Sequence, residues 1–284
     1  MQAVYDEAMT AYTDGNYSQA LTQFLHLAEH GSPDAQYNLG IMYDHGQGVA
    51  QDYQQAAAWY QKAAALGHAV AQCNLANMYV AGQGLALDCQ QAAHWYQQAA
   101  MQNVTDAQYS LGVLYNQGQG VPRDYQKAAE WYKKAAAQGS ATAQLNLGVL
   151  FDQGKGVRQD AEQAVNCYQK AAEQGNASAQ CNLGNLYVDG RGVKQDDALA
   201  AVWFAKAAKQ GNAQAQYSLA VMCAKGQGIA QNLPRAYMWA HLSALTGESN
   251  VIQFRDALAE VLTPAQMTEV QTWLSTGTPA HILH

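Results

Sequence analysis

Charge is what this sequence has least of. Asp, Glu, Lys and Arg together supply 13% of the residues, about half the roughly 25% usual in soluble domains. The balance is acidic, −7 with the histidines neutral, so nucleic acid is not an expected partner, because phosphate binding needs a basic face. No apolar run approaches the roughly 18 residues of a membrane-spanning helix. The first residues lack the basic and apolar regions of a secretory leader. A cytoplasmic setting is therefore expected, with a periplasmic or secreted one as the alternative if a leader was removed. The five cysteines (Cys73, Cys89, Cys167, Cys181, Cys223) are odd in number and contain no Cys-x-x-Cys, unlike a disulfide framework. Small buried thiols are expected instead. Ser-x-x-Lys, Lys-Thr-Gly, Gly-x-Ser-x-Gly and a phosphate loop are all missing, so neither catalysis nor a cofactor is expected. His26 and His30 lie four apart, and His281 and His284 three apart. Neither pair has a nearby third ligand, so no metal is expected.

What the chain does have is one motif in strict phase. Gly46-x-Gly48 returns at Gly82/Gly84, Gly118/Gly120, Gly154/Gly156, Gly190/Gly192 and Gly226/Gly228, each copy 36 residues after the last. A fixed period of this length without insertions means a stacked array of supersecondary units. Each copy reads as two helices. Ala35, Leu39 and Met42 fall on one face of the first, which the first glycine closes by taking the left-handed conformation. Asp52, Asp88, Asp124, Asp160, Asp196 and Asn232 sit where the second helix begins. Capping of free backbone N–H groups accounts for all of them without an ion. Position 40 and its copies are always Gly or Ala (Gly40, Ala76, Gly112, Gly148, Gly184, Ala220). A glycine inside a helix costs about 0.5–1 kcal/mol against alanine, so the close approach of a neighbouring helix is expected there.

The order Ala-x-x-x-Leu-Gly-x-x-Tyr, Gly-x-Gly-Val, Asp, Ala-x-x-Trp-Tyr-x-x-Ala-Ala, Gly resembles the Sel-one-like repeat (SLR) family, relatives of the tetratricopeptide repeats. The resemblance covers residues 31–247. It implies an all-α, right-handed superhelical solenoid of antiparallel helix pairs with a role in assembling proteins. Residues 1–30 resemble a tetratricopeptide capping hairpin. Residues 248–284 read as closing helices, the last opened by a Thr263–Gln266 capping box, with a tail from Thr276 to His284.

Two expectations concern packing. Trp95 and its copies, repeated between small residues, are expected to be buried. Reflecting each second helix about its glycine turn places Cys167 opposite Cys181, so these two are expected as neighbours able to bridge in an oxidising compartment.

Positions identical in all six copies, such as Gln36, Gln72, Gln108, Gln144, Gln180 and Gln216, should serve stacking. Positions that vary on one helix face are left to meet a ligand. By resemblance to tetratricopeptide repeats, the first-helix face turned away from the Ala/Leu/Met stripe lines a concave groove. It carries Tyr37, Asn38, Ile41, Asn74, Asn77, Tyr109, Asn146, Asn182, Asn185 and Tyr217. Asparagine is a mediocre helix former, and its amide can both donate to and accept from a peptide backbone. The other account is that these amides bond adjacent helices or water. Asn77 and Asn185 are the stronger candidates, because other copies carry Ile or Val there. The expected function is a non-catalytic scaffold that binds a peptide or protein segment in this groove. Asp34, Asp44, Asp106, Asp152 and Asp189 would favour a neutral or basic partner. The alternative is a cell-envelope module for peptidoglycan or a glycan. The oligomeric state is open.

Overall fold

The protein is described by a computed structural model covering residues 2–276. The His281/His284 pair and the expected tail from residue 277 onward lie outside the described residues. Among the described residues all regular structure is helical. An opening pair, α1 (Gln2–Thr13) and α2 (Tyr17–Glu29), precedes three repeats. These are α3 (Pro33–His45) with α4 (Tyr53–Ala65), α5 (Ala69–Ala81) with α6 (Cys89–Met101), and α7 (Thr105–Gln117) with α8 (Tyr125–Ala137). Together they form the first of two compact units, which divide between Gln138 and Gly139. The second unit holds α9 (Ala141–Gln153) with α10 (Ala161–Glu173), α11 (Ala177–Asp189) with α12 (Asp197–Lys209), and α13 (Ala213–Lys225) with α14 (Leu233–Ala244). It closes with α15 (Ser249–Val261) and α16 (Pro264–Thr276).

The helix ends follow from the punctuation. Asp52 accepts from the backbone N–H groups of Gln54 and Gln55 at 2.9 and 3.0 Å, and Asp88, Asp124, Asp160, Asp196 and Asn232 cap their helices alike. Gly46, with φ of 68°, closes α3 in the left-handed conformation. The capping box is present: Thr263 N–H donates to Gln266 Oε1 at 3.0 Å, and Gln266 N–H donates to Thr263 Oγ1 at 3.3 Å. On α15 the buried residues are Val251 and Leu258, while Val261 is exposed. Leu258 and Val270 pack on Met238 and Trp239 and so cover the last repeat.

The glycines at position 40 make room for a ring. A Cβ added to Gly40 would lie 2.5 Å from the Tyr60 ring, and one added to Gly112, Gly148 or Gly184 would lie 2.7 Å from Tyr132, Tyr168 or Phe204. The first helix thus presents bare backbone to a fully buried aromatic on the second. In the sixth repeat Ala240 replaces the ring, and Ala220 replaces the glycine. The expected burial of tryptophan holds for Trp239 in the sixth repeat, 2% exposed, and is corrected for the others. Trp59, Trp95, Trp131 and Trp203 are half-buried, and the residue after each occupies the core. Each tryptophan lies back against the preceding layer, and the ammonium groups of Lys62, Lys134 and Lys206 sit 3.8, 3.9 and 4.1 Å from the rings of Trp59, Trp131 and Trp203.

The buried glutamines form the stacking contact expected of them. Gln72 Nε2 donates to the Ala64 carbonyl of the preceding helix at 3.1 Å and its Oε1 accepts from Gln102 Nε2 at 2.9 Å. Gln138, Gln174 and Gln210 repeat the second bond on Gln108, Gln144 and Gln180. In the first repeat Leu66 stands where Gln102 should be, 56% exposed, and Gln36 Oε1 is buried with no partner. The second glycine of each pair docks successive layers, since a Cβ on Gly84 would meet the Tyr53 carbonyl at 2.0 Å.

No bridge joins Cys167 and Cys181. All five cysteines are thiols. Cys181 packs forward into the layer of Phe204 and Leu219, whereas Cys167 faces back toward Gly148. Trp59, Trp131 and Trp203, at position 59 and its copies, pack on the layer before.

Two outcomes follow. Tyr96→Ala is expected to cost about 3–5 kcal/mol, as for a large buried ring, and Trp95→Ala clearly less, both read from urea denaturation. Leu66→Gln should raise stability by about 1 kcal/mol, because it gives a buried acceptor its partner. An unchanged midpoint for Leu66→Gln would show that the glutamine ladder contributes nothing.

Candidate functional site

The buried tyrosines do more than fill space: each hydroxyl reaches the first-helix face. Tyr96 donates to Asn77 Oδ1 at 2.5 Å and is also hydrogen-bonded by Ser110 of the next repeat. Tyr60 donates to Asp44 Oδ2 at 3.4 Å and meets Asn74 of the next repeat. Tyr168 meets Asn182 in the same way. Asn74 and Asn182 persist because a phenol hydroxyl arrives beside them. This is the adjacent-helix account of these amides.

The sequence-derived positions therefore separate. Asn38 is buried, and its Nδ2 donates to Tyr5 Oη at 3.0 Å and to the Asp34 carbonyl at 2.9 Å, which ties α3 to the opening hairpin. Asn74, Asn146 and Asn182 are half-buried. Asn77 is exposed but accepts from Tyr96. Asn185 stands in the same place in the fifth repeat, where Phe204 replaces the tyrosine and offers no hydroxyl. Ile41, Tyr37, Tyr109 and Tyr217 are half-buried with ring neighbours. Tyr37 stacks on His68 with centroids 4.4 Å apart, Tyr109 tilts against Tyr132 at 6.0 Å, and Tyr217 meets Phe254 edge-on at 5.6 Å. In the first unit Tyr37, Ile41, Asn77 and Tyr109 recur along the first helices. In the second, Asn146, Asn185 and Tyr217 do so.

The acidic groups on this side are partly engaged. Asp34 lies 3.4 Å from His68 Nε2, Asp44 accepts from Tyr60, and Asp152 is paired with Arg191 of the next repeat. His68 was not singled out by its sequence, yet its Nδ1 accepts from the Ala71 N–H at 3.0 Å and caps α5. Other first helices use Ser32, Ser140, Asn176 and Asn212 for this bond. The position in the repeat was the available signal. Burial lowers the His68 pKa below the ordinary histidine value, against the pull of Asp34. Among the described residues no cluster of His, Cys, Asp and Glu could hold a metal. His30 Nδ1 lies 2.7 Å from the His26 carbonyl.

Helix pairs whose identical positions are spent on stacking and whose varied positions lie on one face define a repeat protein built for interaction. Six consecutive Sel1 repeats match, at residues 33–68, 69–104, 105–140, 141–176, 177–212 and 213–247. The chain belongs to the Sel1 repeat family. A protective antigen present in uropathogenic Escherichia coli strains, displaying an SLR fold, is similar to it with a TM-score of 0.86 and 34% identity. That match covers 99% of this chain and 62% of the antigen's, so the chain spans under two thirds of that relative's length. A Sel1 repeat protein from Oxalobacter formigenes is similar with a TM-score of 0.74 and 34% identity, over 84% of this chain and 96% of that one. No curated protein sequence matches the chain. Sel1 repeat proteins are in general non-catalytic scaffolds that mediate protein interactions.

Titration reports on the packing. Burial pushes the Tyr96 hydroxyl up to about 12 and raises Tyr60 and Tyr168 as well, while the Cys73, Cys181 and Cys223 thiols rise to about 12, 11 and 11. A raised folded-state pKa means the folded chain holds its protons longer. The associated stability is present below the unfolded pKa values, about 8.5 for cysteine and 10 for tyrosine, and is lost as pH rises through the folded ones. Melting temperature should accordingly fall above about pH 9, together with tyrosinate absorbance appearing as the chain unfolds. The acid side has the opposite sign. His68 contributes above the ordinary histidine value and loses that contribution as pH falls through it. His68→Asn should flatten the loss of melting temperature between about pH 6.5 and 5, and an identical slope would remove His68 from the account.

Proposed function

We propose that the protein is a non-catalytic scaffold whose first-helix faces bind an extended or helical polypeptide segment. The observation that carries this reading is Asn185. It keeps an amide at a position where other copies hold Ile or Val, and its own repeat supplies no tyrosine hydroxyl to occupy it. Tyr217, on the next first helix of the same unit, adds a half-buried ring, which supplies contact area at low conformational cost. The amide would bond the segment's backbone, as its donor and acceptor allow. Because Asp34, Asp44 and Asp152 already have partners, a neutral segment suits the face better than a strongly basic one. The family's general role in protein interactions supports the same reading.

Screening a displayed peptide library beside a panel of peptidoglycan fragments and glycans tests it. A peptide should be selected, and Asn185→Ala should weaken it about tenfold, the worth of one well-made hydrogen bond, at unchanged melting temperature. Asn77→Ala should also lower the melting temperature, since Tyr96 loses its acceptor. Binding of sugars alone, or a peptide indifferent to Asn185→Ala, would reject the assignment.

A further inference from the structure

The fifth and sixth repeats depart from the others at positions that line one cavity, Ala198 and Ala205 in the fifth and Cys223 in the sixth. Position 43 and its copies carry Tyr43, Tyr79, Tyr115, Phe151 and Tyr187, each half-buried against the core, but the last copy is Cys223. Position 61 and its copies are Gln61, Gln97, Lys133 and Gln169, then Ala205. Position 54 and its copies are Gln54, Gln90, Gln126 and Glu162, then Ala198. A cavity of about 420 Å³ lies between α12, α13 and α14, lined by these small residues. Its floor is apolar, formed by Leu219, Cys223, Ile229 and Trp239. Lys206, Lys209 and Arg235 line it, and no carboxylate does. Cations so grouped stand out on a chain of net charge −7. Cation–π contact with Trp203 at 4.1 Å anchors Lys206 beside the opening, and Val202, 49% exposed, extends the apolar surface along α12.

We infer that this cavity is a second binding site, which takes a bulky apolar side chain presented between carboxylates by an acidic peptide segment. The volume falls in the range of ligand pockets, about 300–1,000 Å³. A buried aromatic or aliphatic anchor with charges around it is the usual centre of a protein–protein contact. Charge selects the partner: the lining cations meet the flanking carboxylates, and the exposed apolar strip along α12 accepts the chain on either side of the anchor. The site is lined mainly by the second helices α12 and α14 and differs in charge preference from the face that carries Asn185, so each stands or falls separately.

The probe is a fluorescein-labelled peptide with one tryptophan between two pairs of glutamates. Its controls are the same peptide with lysines for glutamates, the same with alanine for tryptophan, and dodecanoate as competitor. Anisotropy should show the acidic tryptophan peptide binding at least tenfold more tightly than either control peptide. Cys223→Tyr returns the ring that the preceding copies carry or match with Phe151. It should abolish binding with helical circular dichroism and melting temperature unchanged or raised. Lys206→Gln with Lys209→Gln should weaken binding about tenfold and remove most of its salt dependence. Equal binding of the lysine peptide, retained binding in Cys223→Tyr, or binding of dodecanoate without the peptide would each overturn the assignment.

Discussion

Everything in this protein rests on an aromatic ring laid against helix backbone that carries no side chain. Tyr60 on Gly40, Tyr132 on Gly112, Tyr168 on Gly148 and Phe204 on Gly184 bring the two helices of a repeat closer than a Cβ would permit. The penalty of a helical glycine, about 0.5–1 kcal/mol, is small beside the few kcal/mol of a fully buried ring. The second repeat accommodates Ala76 beside Tyr96, and the sixth has Ala220 where the ring is gone.

The ring also decides the surface. A phenol cannot leave its oxygen unpaired in the core, so Tyr60, Tyr96 and Tyr168 carry their hydroxyls to the first-helix side. There Asn74, Asp44, Asn77, Ser110 and Asn182 meet them. Polar groups that look like a recognition surface are thereby partly committed to the core. Where phenylalanine replaces tyrosine, at Phe204, the commitment lapses and Asn185 is released. Variation between copies underlies both proposed sites. An amide without its hydroxyl is one, and a cavity where Cys223 replaces an aromatic residue is the other.

Stacking between layers uses a separate device. The buried glutamine of each first helix reaches back to a carbonyl of the helix before and accepts from the glutamine that ends its own repeat's second helix. Its polarity is an advantage here, because a hydrogen bond with one allowed geometry sets the offset of one layer on the next. Leu66 and Thr246 break the pattern in the first and sixth repeats, and in the first Gln36 Oε1 is left buried without a partner.

Period, helix bounds, capping acids and the all-α class were determined by the sequence alone, since each depends on contacts within about one turn or on a repeat that can be counted. The need for close approach at Gly40 was legible for the same reason: a helix interior that keeps glycine has a steric cause. What only the tertiary structure decided depends on which layer a side chain faces. Trp95 and Tyr96 are adjacent and similar in size, and helical periodicity does not say which of them enters the core. The direction of position 59 sent Cys167 back and left Cys181 facing forward. The second glycine of each motif answers to a backbone carbonyl in the preceding layer, and the asparagines answer to hydroxyls that cross between layers. Such partners lie between 14 and 31 residues away, at separations that neither helix periodicity nor local propensity encodes.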